Sequence, residues 1–393
     1  MDALIARTPE QFREQGIDAR VRHEVMEIDP ASRRVRVQDL DGGRVWWEPY
    51  DQLLIAAGAI PVRPDVPGAD AEGIYGVSTL QSGIVVRRVV DEQKPRRAVI
   101  VGGGYIGLEM AEAMCLRGLD TSLVQRGPQV MNTLDPDMGA LVSDAVRAVG
   151  TTLYLNEEVV GFDAKDGKLR AVITDQRELP ADLAILGMGV RPNTDMAGAA
   201  GIPLGVKGAI QVNERMQAEV EGIWAAGDCA ESFHLVSRRP VHIPLGTTAS
   251  KQGRVAGLNL GGGYDTFPGV VGTAASKICA VEVGRTGLQE KEIRELGLSF
   301  AAAMIESQTR AGYYPGAGKI TVKVLAEKGS GRFLGGQIVG IEGAAKRIDV
   351  MAVALHAGFA VDQMMHLDLS YAPPYSPVWD PVLTAVRQII KMV

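Results

Sequence analysis

Residues 102–109 read Gly-Gly-Gly-Tyr-Ile-Gly-Leu-Glu and follow the apolar run Ala98-Val-Ile-Val101. Gly102, Gly104 and Gly107 thus make a G-x-G-x-x-G loop between a strand and a helix. Such a loop suits the pyrophosphate of a dinucleotide. The first glycine makes a tight turn, the second lets a phosphate come against bare backbone, and the third packs helix on strand. The helix start adds unpaired amides and the positive end of its dipole. The plainer use of the same glycines is a tight packing turn. The next strand ends in Gln125-Arg126. An acidic residue there would accept ribose hydroxyls and repel a 2′-phosphate. Gln125 cannot repel, and Arg126 is either a partner for that phosphate or an ordinary exposed charge. NADPH is therefore not expected to be excluded.

The elements around these residues follow from the pattern of the chain. Thr8 and Gln11 form a capping box, Pro9 fits the first helical turn and Gly16 ends it. Residues 18–55 read as a three-stranded meander with turns at Asp29-Pro30 and Asp41-Gly-Gly43, then a buried strand at 53–55. From about residue 96 strands and helices alternate, which builds an open parallel sheet. A helix is expected to about residue 117, closed by Gly118, and another over 141–149. A buried strand is expected at 222–226 and a helix at 248–259. After Pro268 strands and helices segregate, with a hairpin over 320–325 and 333–339 and helices near 345–357 and 379–391.

The chain has 393 residues, enough for two or three domains. Hydrophobic residues make up 46% and charged residues 22%, the balance of a globular protein. With 41 Lys and Arg against 47 Asp and Glu, the net charge is −6 and gives no general affinity for nucleic acid or anionic membrane. The apolar runs are shorter than a membrane span. Cys115, Cys229 and Cys279 lie far apart, so neither a disulfide framework nor a metal site is expected, and each reads as a small buried hydrophobe. The N-terminus shows no signal-peptide pattern, and a reducing cytoplasm is the expected location.

Three more segments flank the glycine loop: Ala56-Ala57-Gly58-Ala59, Gly189-Val-Arg-Pro-Asn193, and the strand Gly222-Ile-Trp-Ala-Ala-Gly227-Asp228. In order and spacing they resemble the FAD- and NAD(P)-dependent pyridine nucleotide-disulfide oxidoreductases. In the C-terminal half, Ala311-Gly-Tyr313-Tyr314-Pro-Gly316, Lys346-Arg-Ile-Asp349 and Asp368-Leu-Ser-Tyr371-Ala-Pro-Pro-Tyr375-Ser376 are similar to the coenzyme A-disulfide reductase branch. That branch also includes NADH oxidases and persulfide reductases. The resemblance runs over essentially the whole chain.

The resemblance implies an α/β fold with two Rossmann-like dinucleotide-binding domains and an α+β C-terminal dimerisation domain. The FAD-binding domain would be discontinuous, over 1–90 and 208–265. The NAD(P)-binding domain would span 91–207 and the dimerisation domain 266–393. Asp228 would hold the ribityl chain of FAD, with Ala57 (usually Thr in the family), Gly58 and Gly189 in its turns. Gly246, Thr247 and Thr248 open a helix whose positive end would stabilise the reduced ring. Ser250 and Lys251 match contacts to coenzyme A, although Lys251 also reads as a plain solvated charge. Tyr105 would gate the nicotinamide pocket, beside Ile106, and Glu109 would lie near the flavin's reactive edge. A homodimer is implied, with Tyr314 and Tyr375 entering the partner subunit's active site. NAD(P)H would pass a hydride through FAD to coenzyme A disulfide or a persulfide.

Family members begin with a strand, a first glycine loop and a Ser-x-x-x-Cys segment, and neither loop nor segment occurs here. The sequence thus reads as N-terminally incomplete, with the nucleophilic cysteine absent. FAD would then be weakly held and coenzyme A disulfide not reduced by the chain as written. Two alternatives stand beside the reductase: an NADH oxidase, and a truncated relative that dimerises without turnover.

Overall fold

The computed structural model describes residues 4–393. Contacts divide the chain into two units. The first runs to Ala59 and includes Pro192–Ser232 and His242–Phe267; the second comprises Ile60–Arg191, Phe233–Val241 and Pro268–Val393. The first boundary by contact therefore falls at Ala59, against the residue 90 read from the sequence. The reason is Ile74–Gly76, an edge strand of the second unit's parallel sheet.

In the first unit the helix Pro9–Glu14 carries the expected capping box. His23–Asp29, Arg34–Asp39 and Val45–Pro49 form the antiparallel meander. Leu53–Ile55 pairs in parallel with Ile223–Ala225. Ile28, Val35, Val37, Ile55, Ile210 and Ile223 bury the core of this unit.

The second unit holds two five-stranded sheets. One is wholly parallel, in the order Ile74–Gly76, Leu183–Leu186, Arg97–Val101, Asp120–Gln125, Thr152–Leu155. Ala98 and Ile100 pack with the helices Tyr105–Leu116 and Pro136–Ala148, while Val99 and Val101 face the antiparallel sheet Val159–Lys165, Lys168–Thr174, Glu178–Pro180. Because both faces are covered, the strand reads as a continuous apolar run. The sequence pattern gave the parallel sheet but not this antiparallel layer. It also gave no sign of the helix Leu80–Gln93, and it started the Pro136–Ala148 helix five residues late.

The other sheet is antiparallel, in the order Ala274–Ile278, Val281–Gly287, Phe333–Gly340, Lys319–Glu327, Phe300–Gln308. The expected hairpin is its centre. The helices Ala344–Ala357 and Pro381–Ile389 cover it, burying Ile338, Ile348, Met351, Val386 and Ile389.

Candidate functional site

Each glycine of the loop at 102–107 is required for a different reason. Gly102 has φ +103, a left-handed conformation that side chains avoid. A Cβ on Gly107 would overlap the Gly102 carbonyl oxygen, so only glycine lets the helix sit against the turn. Gly104 differs from both: a Cβ there would meet nothing within 4 Å. Gly104 is the N-cap of Tyr105–Leu116 and offers no side-chain cap, so the first-turn amides have no intrahelical partner. Open space over bare backbone, at a positive helix end, is what a pyrophosphate needs.

The residues beside the loop are committed in ways the sequence did not show. The Gly103 amide donates to Gln125 Oε1 at 2.9 Å, so this side chain braces the loop and does not point its oxygen at a ribose. Arg126 is 79% exposed and pairs with Glu158 at 3.4 Å. Tyr105 is half-buried, and its phenol oxygen lies 3.4 Å from Thr133 Oγ1. Ile106 is half-buried. Glu109 is exposed and accepts from Ser276 Oγ at 2.9 Å.

In the first unit, Gly227-Asp228 follows the strand Ile223–Ala225, and Gly227 has φ +81. A buried glutamine organises this turn. Gln252 accepts the Gly227 amide at 2.8 Å and donates to the Glu231 carbonyl at 2.9 Å and Ser232 Oγ at 3.0 Å. His242 Nε2 lies 2.8 Å from the Asp228 carbonyl. These contacts fix the backbone and leave the Asp228 carboxyl uncommitted to the turn. Gln252 belongs to the helix Gly246–Leu260, whose N-cap, Leu245, offers no side-chain bond. The amides of Gly246, Thr247 and Thr248 are therefore open to a ligand. Gly58 has φ +69 with free space where a Cβ would stand, and Asn193 closes on the turn through Gly58 O at 2.9 Å and Ala57 O at 3.3 Å. Ser250 and Lys251 are exposed, one turn along the same helix. A carboxylate for hydroxyls and an uncapped helix start for an anionic ring edge fit the ribityl chain and the ring of FAD, while the loop that would hold its pyrophosphate is not among these residues. In the second unit, Gly189 has φ +91. Gln252 and His242 were missed because a helical glutamine and a lone histidine look like surface residues in sequence.

Tyr314 and Tyr375 are exposed, as are Tyr313, Tyr371, Val378 and Trp379. Beside them, a hydrogen bond with Tyr313 pushes the Tyr371 phenol above its ordinary pKa. Two of the cysteines are poor nucleophiles. Cys229 is fully buried and raised by burial; Cys279 is raised to about 11 by burial and the nearby Glu112. Cys115 lies against Thr151 Oγ1 at 3.2 Å. Among the described residues, no three His, Cys, Asp or Glu group into a metal site, and no helix is long and apolar enough to cross a membrane.

Residues 4–253 match the family model described as pyridine nucleotide-disulphide oxidoreductase. The chain belongs to this family. Residues 273–381 of the oxidoreductase match the family's dimerisation domain. A CoA-dependent NAD(P)H sulfur oxidoreductase of Pyrococcus abyssi is 38% identical over 98% of this chain and 85% of its own length. An NADH oxidase of Methanocaldococcus jannaschii is 35% identical over 99% and 87%. Among solved structures, an NAD-dependent persulfide reductase from A. fulgidus superimposes with a TM-score of 0.95 at 35% identity, over 99% of this chain and 72% of that one.

Proposed function

We propose that this oxidoreductase uses NAD(P)H and FAD to reduce a sulfur–sulfur bond of a coenzyme A disulfide or persulfide. The observation that carries the reading is the loop at Gly104, bare and open at an uncapped helix start. The amides after Gly104 hold the pyrophosphate of NAD(P)H, and Arg126 is free to leave Glu158 for a 2′-phosphate. Asp228 binds the ribityl hydroxyls, and the amides of residues 246–248 stabilise negative charge at the flavin ring. FAD, when bound, supplies the conversion of a hydride into an electron pair for sulfur. Ser250 and Lys251 orient the coenzyme A portion of the substrate. The domain roles follow, with the boundaries the contacts give: FAD binding by 1–59, 192–232 and 242–267, NAD(P)H binding by 60–191, dimerisation by 268–393.

A homodimer through the C-terminal domain is part of this proposal. The family model over 273–381 and the exposed aromatic group around Tyr314, Tyr375 and Trp379 support it, since a soluble surface rarely leaves such a patch bare. Tyr314 or Tyr375, or the linked Tyr313 and Tyr371, would donate the proton to the departing thiolate in the partner subunit's site. The location we propose is a reducing cytoplasm, supported by three unpaired cysteines.

Calorimetric titration with NADPH and NADH tests the nucleotide site directly; binding of neither overturns the reading. NAD(P)H consumption with coenzyme A disulfide, coenzyme A persulfide or dioxygen as acceptor then separates the activities. The sulfur compounds are expected to be preferred where a redox thiol is supplied; the chain as written, with Cys229 and Cys279 both raised in pKa, is expected to bind NAD(P)H without reducing coenzyme A disulfide. Turnover with dioxygen alone would favour the NADH oxidase reading, which the 35% identical oxidase supports. Binding without turnover on any acceptor would favour a non-catalytic role. A monomer in light scattering at micromolar concentration would overturn the dimer.

A further inference from the structure

Asp135 stands at the N-cap of the helix Pro136–Ala148, where an aspartate ordinarily bonds the first-turn amides. It makes no such bond. Its carboxylate is 3% exposed and turns instead toward the C-terminal sheet. There it accepts from Gln337 Nε2 at 2.8 Å and from the Glu290 amide at 2.9 Å, and it pairs with Lys323 at 3.1 Å. The Asp135 amide donates back to Gln337 Oε1 at 2.8 Å. Lys323 and Gln337 are direct cross-strand neighbours, both almost fully buried. Lys323 also reaches Asp137 and Glu290, each at 2.7 Å. A buried lysine facing three carboxylates is an expensive arrangement if packing were its only use.

The segment just before Asp135 is the wall of the glycine loop. The Met131 amide donates to the Gly103 carbonyl at 2.8 Å, and Val130 packs so closely that a Cβ on Gly103 would lie 2.9 Å from its Cγ1. Thr133 meets the Tyr105 phenol. Gln289, one residue before Glu290, donates to the Asn132 carbonyl at 3.1 Å. Met131 itself holds φ +49, a conformation that persists only where its surroundings enforce it. The C-terminal sheet and the start of the helix Glu290–Glu295 thus grip residues 132–137, and residues 130–133 in turn grip the loop at 103–105.

We propose that Lys323 and Gln337 are positioning residues for the pyridine nucleotide: through Asp135 they set the wall at residues 130–133 against which the glycine loop and Tyr105 are held. The C-terminal domain then serves nucleotide binding within its own chain, separately from any role in dimerisation. This inference rests on the nucleotide-site reading above.

The test uses the full chain with Gln337→Leu and Lys323→Met. NADPH affinity by calorimetry is expected to fall about tenfold in Gln337→Leu, or about 1.4 kcal/mol. Hydrogen exchange of the peptide covering 126–137 should quicken in the same variant, with the Asp120–Gln125 strand unchanged. In NAD(P)H turnover, KM for NADPH should rise while kcat holds. Unchanged affinity in a folded Gln337→Leu would overturn the inference and leave the nucleotide reading intact; no NADPH binding by the wild type would overturn both. Should both variants fail to fold, the wild type still decides. Saturating NADPH should slow exchange at Met131 and Asp135, and an unchanged rate there overturns the inference.

Discussion

Two helix starts in this molecule are open to a ligand, and they are built by opposite means. The helix Tyr105–Leu116 is brought to its place by missing atoms. Gly102 turns where a side chain could not, and Gly107 lets the helix touch the turn. The helix Gly246–Leu260 is brought to its place by a polar side chain. Gln252 ties the Gly227 turn and the chain at Glu231–Ser232 to the helix with three hydrogen bonds. A site made by steric permission tolerates no added atom at its contacts. A site made by buried hydrogen bonds tolerates no lost partner. Yet each leaves its first-turn amides uncapped, so either route delivers the same positive helix end.

The sharpest way to break this contrast is Gly107→Val. The new side chain would drive into the Gly102 carbonyl, and destabilisation of about 3 kcal/mol is expected, at the upper end of overpacking costs. NADPH binding should vanish with it. A variant that melts like the wild type and still binds NADPH would show that the glycine is not a contact.

Gln252→Leu probes the polar construction. Losing three hydrogen bonds in a fully buried position is expected to cost about 2 kcal/mol, read from chemical denaturation. FAD affinity should weaken while NADPH affinity stays as it was. Equal effects on both nucleotides would mean that the two helix starts are not independently built.

A finer cut is Gly104→Ala. Its added methyl enters open space, so stability should change by no more than about 0.5 kcal/mol. The same methyl would stand where the pyrophosphate lies, and NADPH affinity should fall about tenfold, or about 1.4 kcal/mol. If affinity is kept, Gly104 is only a packing glycine and the loop's open side is not the binding side.

Gln125→Glu should have the smallest effect. Its carboxylate can still accept the Gly103 amide, so the loop is kept. The added charge at this half-buried position should move preference from NADPH toward NADH by at least a few-fold, since a carboxylate there accepts ribose hydroxyls and repels a 2′-phosphate. A wild type that already binds NADH at least a hundredfold better than NADPH would contradict the present view of this strand end.

How well the sequence foretold each region depends on where the partners lie. The glycine loop was legible because its three glycines, strand and helix are neighbours in the chain. The meander at 23–49 and the hairpin centred on 328–331 were legible for the same reason. The antiparallel layer of Val159–Lys165, Lys168–Thr174 and Glu178–Pro180 was not, because its strands interrupt an alternation that otherwise spells a parallel sheet. Tyr313 and Tyr371 appeared within quoted motifs, but their contact was not legible because the two lie far apart in the chain.

By itself, then, the sequence determined the glycine loop between strand and helix, the family and the C-terminal place of the dimerisation domain. All of these rest on conformations that a few adjacent residues force. Only the tertiary structure decided where the polar side chains were spent. Asp135 stands at a helix N-cap, yet it binds Gln337, 202 positions away. Gln125 reads as a ribose contact, yet it braces Gly103. A side chain with several acceptable partners goes to whichever the fold brings within reach in a dry environment. There a hydrogen bond left unmade costs more than a local one gained.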